Sequence, residues 1–216
     1  MDTITLLISV VGFVMAIIIH EVSHGLVAER LGDPTARLKG RLTLNPIPHI
    51  DLIGSVILPL SLLLLRSPFL FGWAKPVPVD PYNLQHPKKD MALISLAGPL
   101  SNICLAIVLS VFLRILLAIF PGAGIFTLFF YLIQFNVVLA VFNLIPINPL
   151  DGGKILTGIL PDRQSRLLSG FLDRSGMILM LFLIFPIFGG SSLVSIITSP
   201  IIIFFLKILI PGFSTI

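Results

Sequence analysis

The sequence predicts an all-α polytopic membrane protein, and three observations predict it. Of the 216 residues, 56% are hydrophobic and only 11% charged, with a mean hydropathy of +1.08; a soluble domain carries about 25% charged residues. Charge is absent from runs long enough to cross a bilayer, among them residues 91–113, 115–150 and 175–206, and helices are the spanning elements that satisfy their own backbone in hydrocarbon. Basic residues gather in the short stretches between these runs. That placement orients a membrane protein and does not form a nucleic-acid footprint. The single cysteine, Cys104, excludes an internal disulfide and a multi-cysteine metal cluster.

Residues 3–19 carry no charge and keep a helical pattern to about Arg30. No basic n-region precedes this run and no small-residue cleavage site follows it, so it is expected to be a retained helix. In ARLKGRLTL, residues 36–44, Leu38, Gly40, Leu42 and Leu44 alternate with Arg37, Lys39, Arg41 and Thr43. This is strand periodicity and predicts a short β element with a basic face at the membrane edge; a loop drawn to anionic headgroups is the alternative. Residues 51–74 hold 14 uncharged residues before Arg66, with Pro59 in their midst. Basic loops flank the segment on both sides (Arg37, Lys39 and Arg41 before it, Lys75, Lys88 and Lys89 after it), which predicts a re-entrant element entering and leaving on one face.

Residues 91–113 read as a second full span, with Arg114 at its far end. The 115–150 run is too long for one span, and Pro121-Gly122-Ala123-Gly124 divides it. A basic loop over 154–174 leads to a C-terminal helical hairpin over 175–210, broken at 188–192. The sum is about five transmembrane helices plus the re-entrant segment, in one domain covering 1–216. The N-terminus is then outside, and the C-terminus, near Lys207, shares the cytoplasmic side with the basic loops.

Ten acidic residues occur, and only Glu21 and Asp151 lie inside apolar segments. An intramembrane acid is costly and marks function. His20 and His24 stand four residues apart on the predicted first helix, so both imidazoles can hold one ion, and Glu21 beside them can reach a water on it. This is the H-E-x-x-H arrangement of zinc hydrolases. A catalytic zinc takes three protein ligands, and the candidates for the third are His49, His86 and Asp151. Asp151 follows a stretch broken by Pro146 and Pro149, the kind of backbone tolerated at membrane depth where it lines a cavity.

His20-Glu21-Val22-Ser23-His24, Ala97-Gly98-Pro99-Leu100, Phe142-Asn143-Leu144-Ile145-Pro146 and Asn148-Pro149-Leu150-Asp151-Gly152 occur in an order that resembles the site-2 protease family of intramembrane metalloproteases. The resemblance covers about residues 10–160, the expected catalytic core. Gly72-Trp73-Ala74-Lys75-Pro76-Val77-Pro78-Val79-Asp80 is similar to the compact prokaryotic branch that lacks an appended soluble domain. Ser23 departs from the family, which often has Gly there, and no extra helix precedes the first.

The resemblance implies that His20, His24 and Asp151 hold one Zn2+, that Glu21 is the general base, and that Asn143 binds the substrate carbonyl or oxyanion. Unaided, Asn143 reads equally well as a helix-packing residue, and Asn102 keeps that reading. The function so implied is hydrolysis of peptide bonds in transmembrane segments of substrate proteins, at a prokaryotic cell membrane. The 36–44 strand is expected to clamp the unwound substrate by β-augmentation. Two rivals use the same residues: a membrane metal-binding or transport protein, and a pseudoprotease that binds transmembrane helices without cutting them.

Overall fold

The computed structural model describes residues 3–65, 72–120, 125–185 and 192–213, so Arg66, the 121–124 break and most of the 188–192 break lie outside the described residues. Among the described residues every regular element is helical. The helices are α1 (Thr3–Arg30), α2 (Thr35–Leu38), α3 (Leu58–Leu64), α4 (Pro87–Ile119), α5 (Phe126–Asn143), α6 (Asp151–Ile159), α7 (Asp162–Ile184) and α8 (Leu193–Leu209). Four of them, α1, α4, α5 and α7, are long and apolar enough to cross a membrane. The expected fifth span, α8, has 17 residues, about 26 Å at 1.5 Å per residue against a ~30 Å hydrocarbon core.

The longest helix, α4, begins with Pro87 at its first turn, where a missing N–H costs nothing. Its Asp90 carboxylate accepts from the His86 N–H at 2.8 Å, satisfying a donor the helix start would otherwise leave unpaired. Against α4 pack α1, α5 and α6. A buried cluster including Leu113, Phe129, Ile133, Val137 and Leu206 joins α4, α5 and α8. The 154–174 stretch, expected as a loop, is helical instead: α6 covers its start, and the polar first half of α7 carries Arg163, Arg166 and Arg174 on its exposed face.

No strand occurs at 36–44 among the described residues, and the cause is local. Asp33 accepts from the Thr35 N–H at 3.1 Å and starts α2. Gly40, at φ +64°, ends it: the Gly40 N–H reaches the Arg37 carbonyl at 2.9 Å and the Arg41 N–H reaches Ala36 at 2.9 Å, the paired bonds of a helix C-terminal stop. These end signals override the alternation of Leu and basic residues. The basic face dissolves with it: Arg37 pairs with Glu29, and Arg41 is buried.

The 51–74 segment runs through Leu52–Ile57 into α3 and returns beside its own start. The Trp73 N–H donates to Gly54 O at 3.1 Å and Ser55 Oγ to Trp73 O at 2.8 Å, so the outgoing chain leaves where the incoming chain arrived. The C-terminal end of α8 also departs from expectation. Its last carbonyls accept from Ser110, and from Arg114 at 2.8 Å, in the far half of α4. It therefore lies at the end of the bundle away from Arg30 and Lys88. The charge pattern had set it on the Lys88 side through Lys207 alone, and those two side chains of α4 outweigh that single signal.

Past the end of α1 sits a fully buried carboxylate, Asp33. It accepts from Thr35 Oγ1 at 2.5 Å, from the Asp80 N–H at 2.7 Å and from Asn83 Nδ2 at 2.8 Å, so it staples the α1 terminus to the 80–83 turn. Burial raises its pKa, but the hydrogen bonds from Thr35, Asn83 and the Asp80 backbone prevail and hold it below the usual carboxylate range. A folded-state pKa below the unfolded one stabilises the fold above about pH 4 and loses that contribution as pH falls through the folded value. Thermal unfolding from pH 7 to pH 3 should show the wild type losing stability at the acid end. Asp33→Asn should lose less over that range than the wild type does, the remainder coming from carboxylates such as Glu29 and Asp162 that also pair with cations. It should be less stable at pH 7 by about 1–3 kcal/mol, the cost of an unpaired buried donor.

Candidate metal centre

His20 and His24 lie one turn apart on the inner part of α1, their rings edge to face with centroids 4.6 Å apart. Asp151 opens α6. The stretch before it, Leu144 to Leu150, is broken by two prolines and carries the chain back towards α1. Its Oδ2 lies 3.1 Å from His20 Nε2 and 3.3 Å from His24 Nε2. All three side chains are buried. Of the three candidates for a third donor, Asp151 alone reaches the pair. His49 turns Nε2 to the Thr43 carbonyl at 3.0 Å, and His86 stands exposed at the start of α4.

The other ring nitrogens fix the chemistry of the pair. His20 Nδ1 lies 2.7 Å from Asn102 Oδ1 and His24 Nδ1 lies 2.7 Å from the Ile94 carbonyl. Both partners are oxygens that only accept, so both Nδ1 atoms carry the proton and donate it. In neutral imidazoles each Nε2 then presents a lone pair to a carboxylate oxygen, an arrangement that calls for a cation between them. Tetrahedral zinc at about 2.0–2.1 Å from its nitrogen ligands sets neighbouring ligand atoms about 3.3 Å apart, and the observed separations of 3.1 and 3.3 Å match that edge. A second observation agrees. A Cβ on Gly98 of α4 would sit 2.5 Å from His24 Nε2 and 2.6 Å from His20 Nε2, so glycine keeps open the space that an ion on these atoms needs. The residues present fit a zinc ion.

Glu21 has a carboxylate oxygen within 4.8 Å of donor atoms of both histidines. Its Oε2 is taken by the Val77 N–H at 2.8 Å. That N–H belongs to a strap without regular secondary structure, residues 74–80, of which Pro76, Val77 and Val79 line the site. Arg41 holds the strap from beneath, donating through Nη2 to the Lys75 carbonyl at 2.5 Å and the Pro76 carbonyl at 3.2 Å. A cavity of about 330 Å3 opens here, lined by His20, Glu21, His24 and Asp151 and also by Asn143 and Lys154. Asn143, at the end of α5, donates one Nδ2 hydrogen to the Leu139 carbonyl at 3.0 Å.

Asn102 joins helices as its packing reading expects, through Ala16 and Asn136; the sequence does not show that it also partners His20, nor that Arg41 and Val77 support Glu21. The available signal was a polar side chain inside an apolar run: Asn102 and Asn136 stand out in their spans as His20 does.

Paired imidazoles and a carboxylate with a second carboxylate alongside, enclosed by bilayer-length helices, define a membrane metallohydrolase as the class. The comparisons narrow it. The model of peptidase family M50 matches residues 118–187. The "Putative zinc metalloprotease YwhC" of Bacillus subtilis is 39% identical over 159 residues, 70% of this chain and 68% of that protein. The "Putative zinc metalloprotease Rip2" of Mycolicibacterium smegmatis is 30% identical over 180 residues, 82% of this chain and 66% of that protein. The "Putative zinc metalloprotease MJ0611" of Methanocaldococcus jannaschii is 41% identical over a shorter stretch of 63 residues, 29% of this chain and 31% of that protein. No solved structure matches. The chain belongs to peptidase family M50, the site-2 protease family, and is a membrane zinc metallopeptidase.

Two outcomes are expected. Gly98→Ala should leave the purified chain well below one zinc per molecule by elemental analysis, whereas Gly170→Ala, with nothing within 4 Å of its Cβ, should retain the wild-type content. Val77→Pro removes the N–H that Glu21 accepts; cleavage should fall about tenfold or more, ~1.4 kcal/mol of barrier, at unchanged zinc content.

Proposed function

We propose that this chain hydrolyses peptide bonds within transmembrane segments of other membrane proteins, with His20, His24 and Asp151 as zinc ligands and Glu21 as general base. The observation that carries the reading is the convergence of His20 Nε2, His24 Nε2 and Asp151 Oδ2 on one point of a cavity that Glu21 and Asn143 also line. Zinc held there supplies a Lewis acid that lowers the pKa of water and polarises the scissile carbonyl.

The rest of the work falls to the chain. Glu21, with Oε2 tied to Val77, takes the proton of the attacking water at its other oxygen and passes it to the leaving amide nitrogen. Asn143 spends one Nδ2 hydrogen on Leu139 and points the second at the carbonyl oxygen as that oxygen gains charge. Asp151 carries one negative charge against the metal's two and holds both histidines to one centre.

A transmembrane helix hides its carbonyls in hydrogen bonds, so a substrate must unwind before it is cut. Helix-weakening residues near the scissile bond favour that. In the proposed orientation the N-terminus of α1 is outside and the end bearing Arg30, Lys88 and Lys89 is cytoplasmic. His24 then sits about 9 Å from that end of α1, at 1.5 Å per residue. The fold-back of 51–74 supports its reading as a re-entrant element, and the catalytic core is residues 10–160 of a single domain.

The decisive variant is Glu21→Gln, assayed on a model single-pass substrate in liposomes. Cleavage should drop by roughly 10²–10⁴-fold at unchanged zinc stoichiometry. A variant that still cuts at the wild-type rate removes Glu21 from the mechanism. A wild type that holds zinc and cuts no transmembrane substrate favours the binding-only rivals.

A further inference from the structure

We infer that Asn136 and Asn102 form a relay, running from α5 through α4, that fixes the tautomer of His20 and so sets the metal affinity of the site. The inference rests on the reading of His20 as a zinc ligand.

Both amides are fully buried. Donor and acceptor accounting leaves one orientation for each. Asn136 lies 2.9 Å from the Leu132 carbonyl, which only accepts, so the Asn136 atom facing it is Nδ2. Its Oδ1 is therefore turned towards Asn102 and accepts from Asn102 Nδ2 at 2.9 Å. The second hydrogen of Asn102 Nδ2 goes to the Ala16 carbonyl on α1 at 3.1 Å. Both amide hydrogens of Asn102 are thus spent, and Oδ1 is what it offers to His20 Nδ1 at 2.7 Å.

Backbone carbonyls on α5, through Asn136, and on α1, directly, thereby agree on one orientation of Asn102, in which His20 is protonated at Nδ1 and presents a bare Nε2. The two histidines differ in this respect. His24 receives the same polarity from the main-chain carbonyl of Ile94, which no side-chain substitution removes. His20 receives it from a side chain, Asn102, whose own amide is held by Asn136 and by the Ala16 carbonyl. Residues behind a metal-bound histidine that fix its tautomer typically alter metal affinity 10–100-fold. A purely structural role, two amides holding three helices together, predicts no such change.

The experiment measures zinc affinity of the full chain in lipid nanodiscs by competition with a chelating dye, and the visible spectrum of the cobalt(II)-loaded protein. Asn102→Leu should weaken zinc binding about 10–100-fold and shift the cobalt bands, and Asn136→Leu should weaken it severalfold. Asn136→Asp should rescue wild-type affinity to within about threefold, because a carboxyl accepts from Asn102 Nδ2 in either protonation state. Ser110→Ala, which breaks a buried interhelical bond elsewhere, should leave affinity unchanged and calibrates the cost of losing such a bond. Wild-type affinity in Asn102→Leu overturns the relay, as does an Asn136→Asp no better than Asn136→Leu. His20→Ala with wild-type zinc affinity would instead overturn the ligand assignment beneath it, and none of these readouts requires cleavage.

Discussion

His20 and His24 each donate a hydrogen bond at Nδ1 and turn Nε2 towards Asp151, and the bundle is arranged around that demand. Polar groups in an apolar interior are costly unless each finds a partner. Here the partners come from four helices. α1 supplies the imidazoles, α4 supplies Ile94 and Asn102, α5 supplies Asn136, and α6 begins with the carboxylate. On the proposed assignment zinc is the group that would make the inner face of this set favourable, so the apolar packing of α4 on α1 and α6 and the polar chemistry at its centre specify the same register. The glycine on α4 opposite the two Nε2 atoms expresses that agreement in space alone.

Glu21 is held by a different device. Among the described residues no Lys or Arg pairs with it; a backbone N–H from the strap fixes one of its oxygens. The strap is anchored by a buried arginine and, further on, by the Asp33 staple. The loops between α1 and α4 therefore form a continuous support from the end of α1 to the proposed base. In this arrangement the segment that carries no metal donor decides where the proton acceptor sits.

What could be read in the sequence followed from costs too large to be accidental. Two histidines and a glutamate in an apolar run, and an aspartate after a proline-broken one, had few other reasons to be there, and the fold brings His20, His24 and Asp151 within hydrogen-bond distance. The membrane class followed from composition in the same way. What was not legible depended on short-range competition or on contacts between distant segments. The alternation at 36–44 suggests a strand, but Asp33 just before it and Gly40 in its middle supply helix start and stop signals, and those prevail. Arg41 looked like a headgroup-facing cation, and its carbonyl partners lie 34 and 35 residues away. The side of the bundle on which α8 ends was judged from Lys207, while Ser110 and Arg114 decide it from another helix. Asn102 and Asn136 were visible as polar residues in spans, but nothing local says which histidine they serve.

The distance in sequence between the two halves of the site has a consequence for how the protein is made. His20 and Asp151 are 131 positions apart, and α4 and α5 must be in place before α6 can bring its carboxylate to α1. A ribosome-bound chain with only its first helix inserted carries the H-E-x-x-H turn but neither the third donor nor the amide that orients His20. On the proposed assignment, hydrolytic competence arrives only with the completed bundle, so a nascent or half-inserted copy is harmless to its neighbours in the membrane. The order of synthesis itself acts as a safety catch.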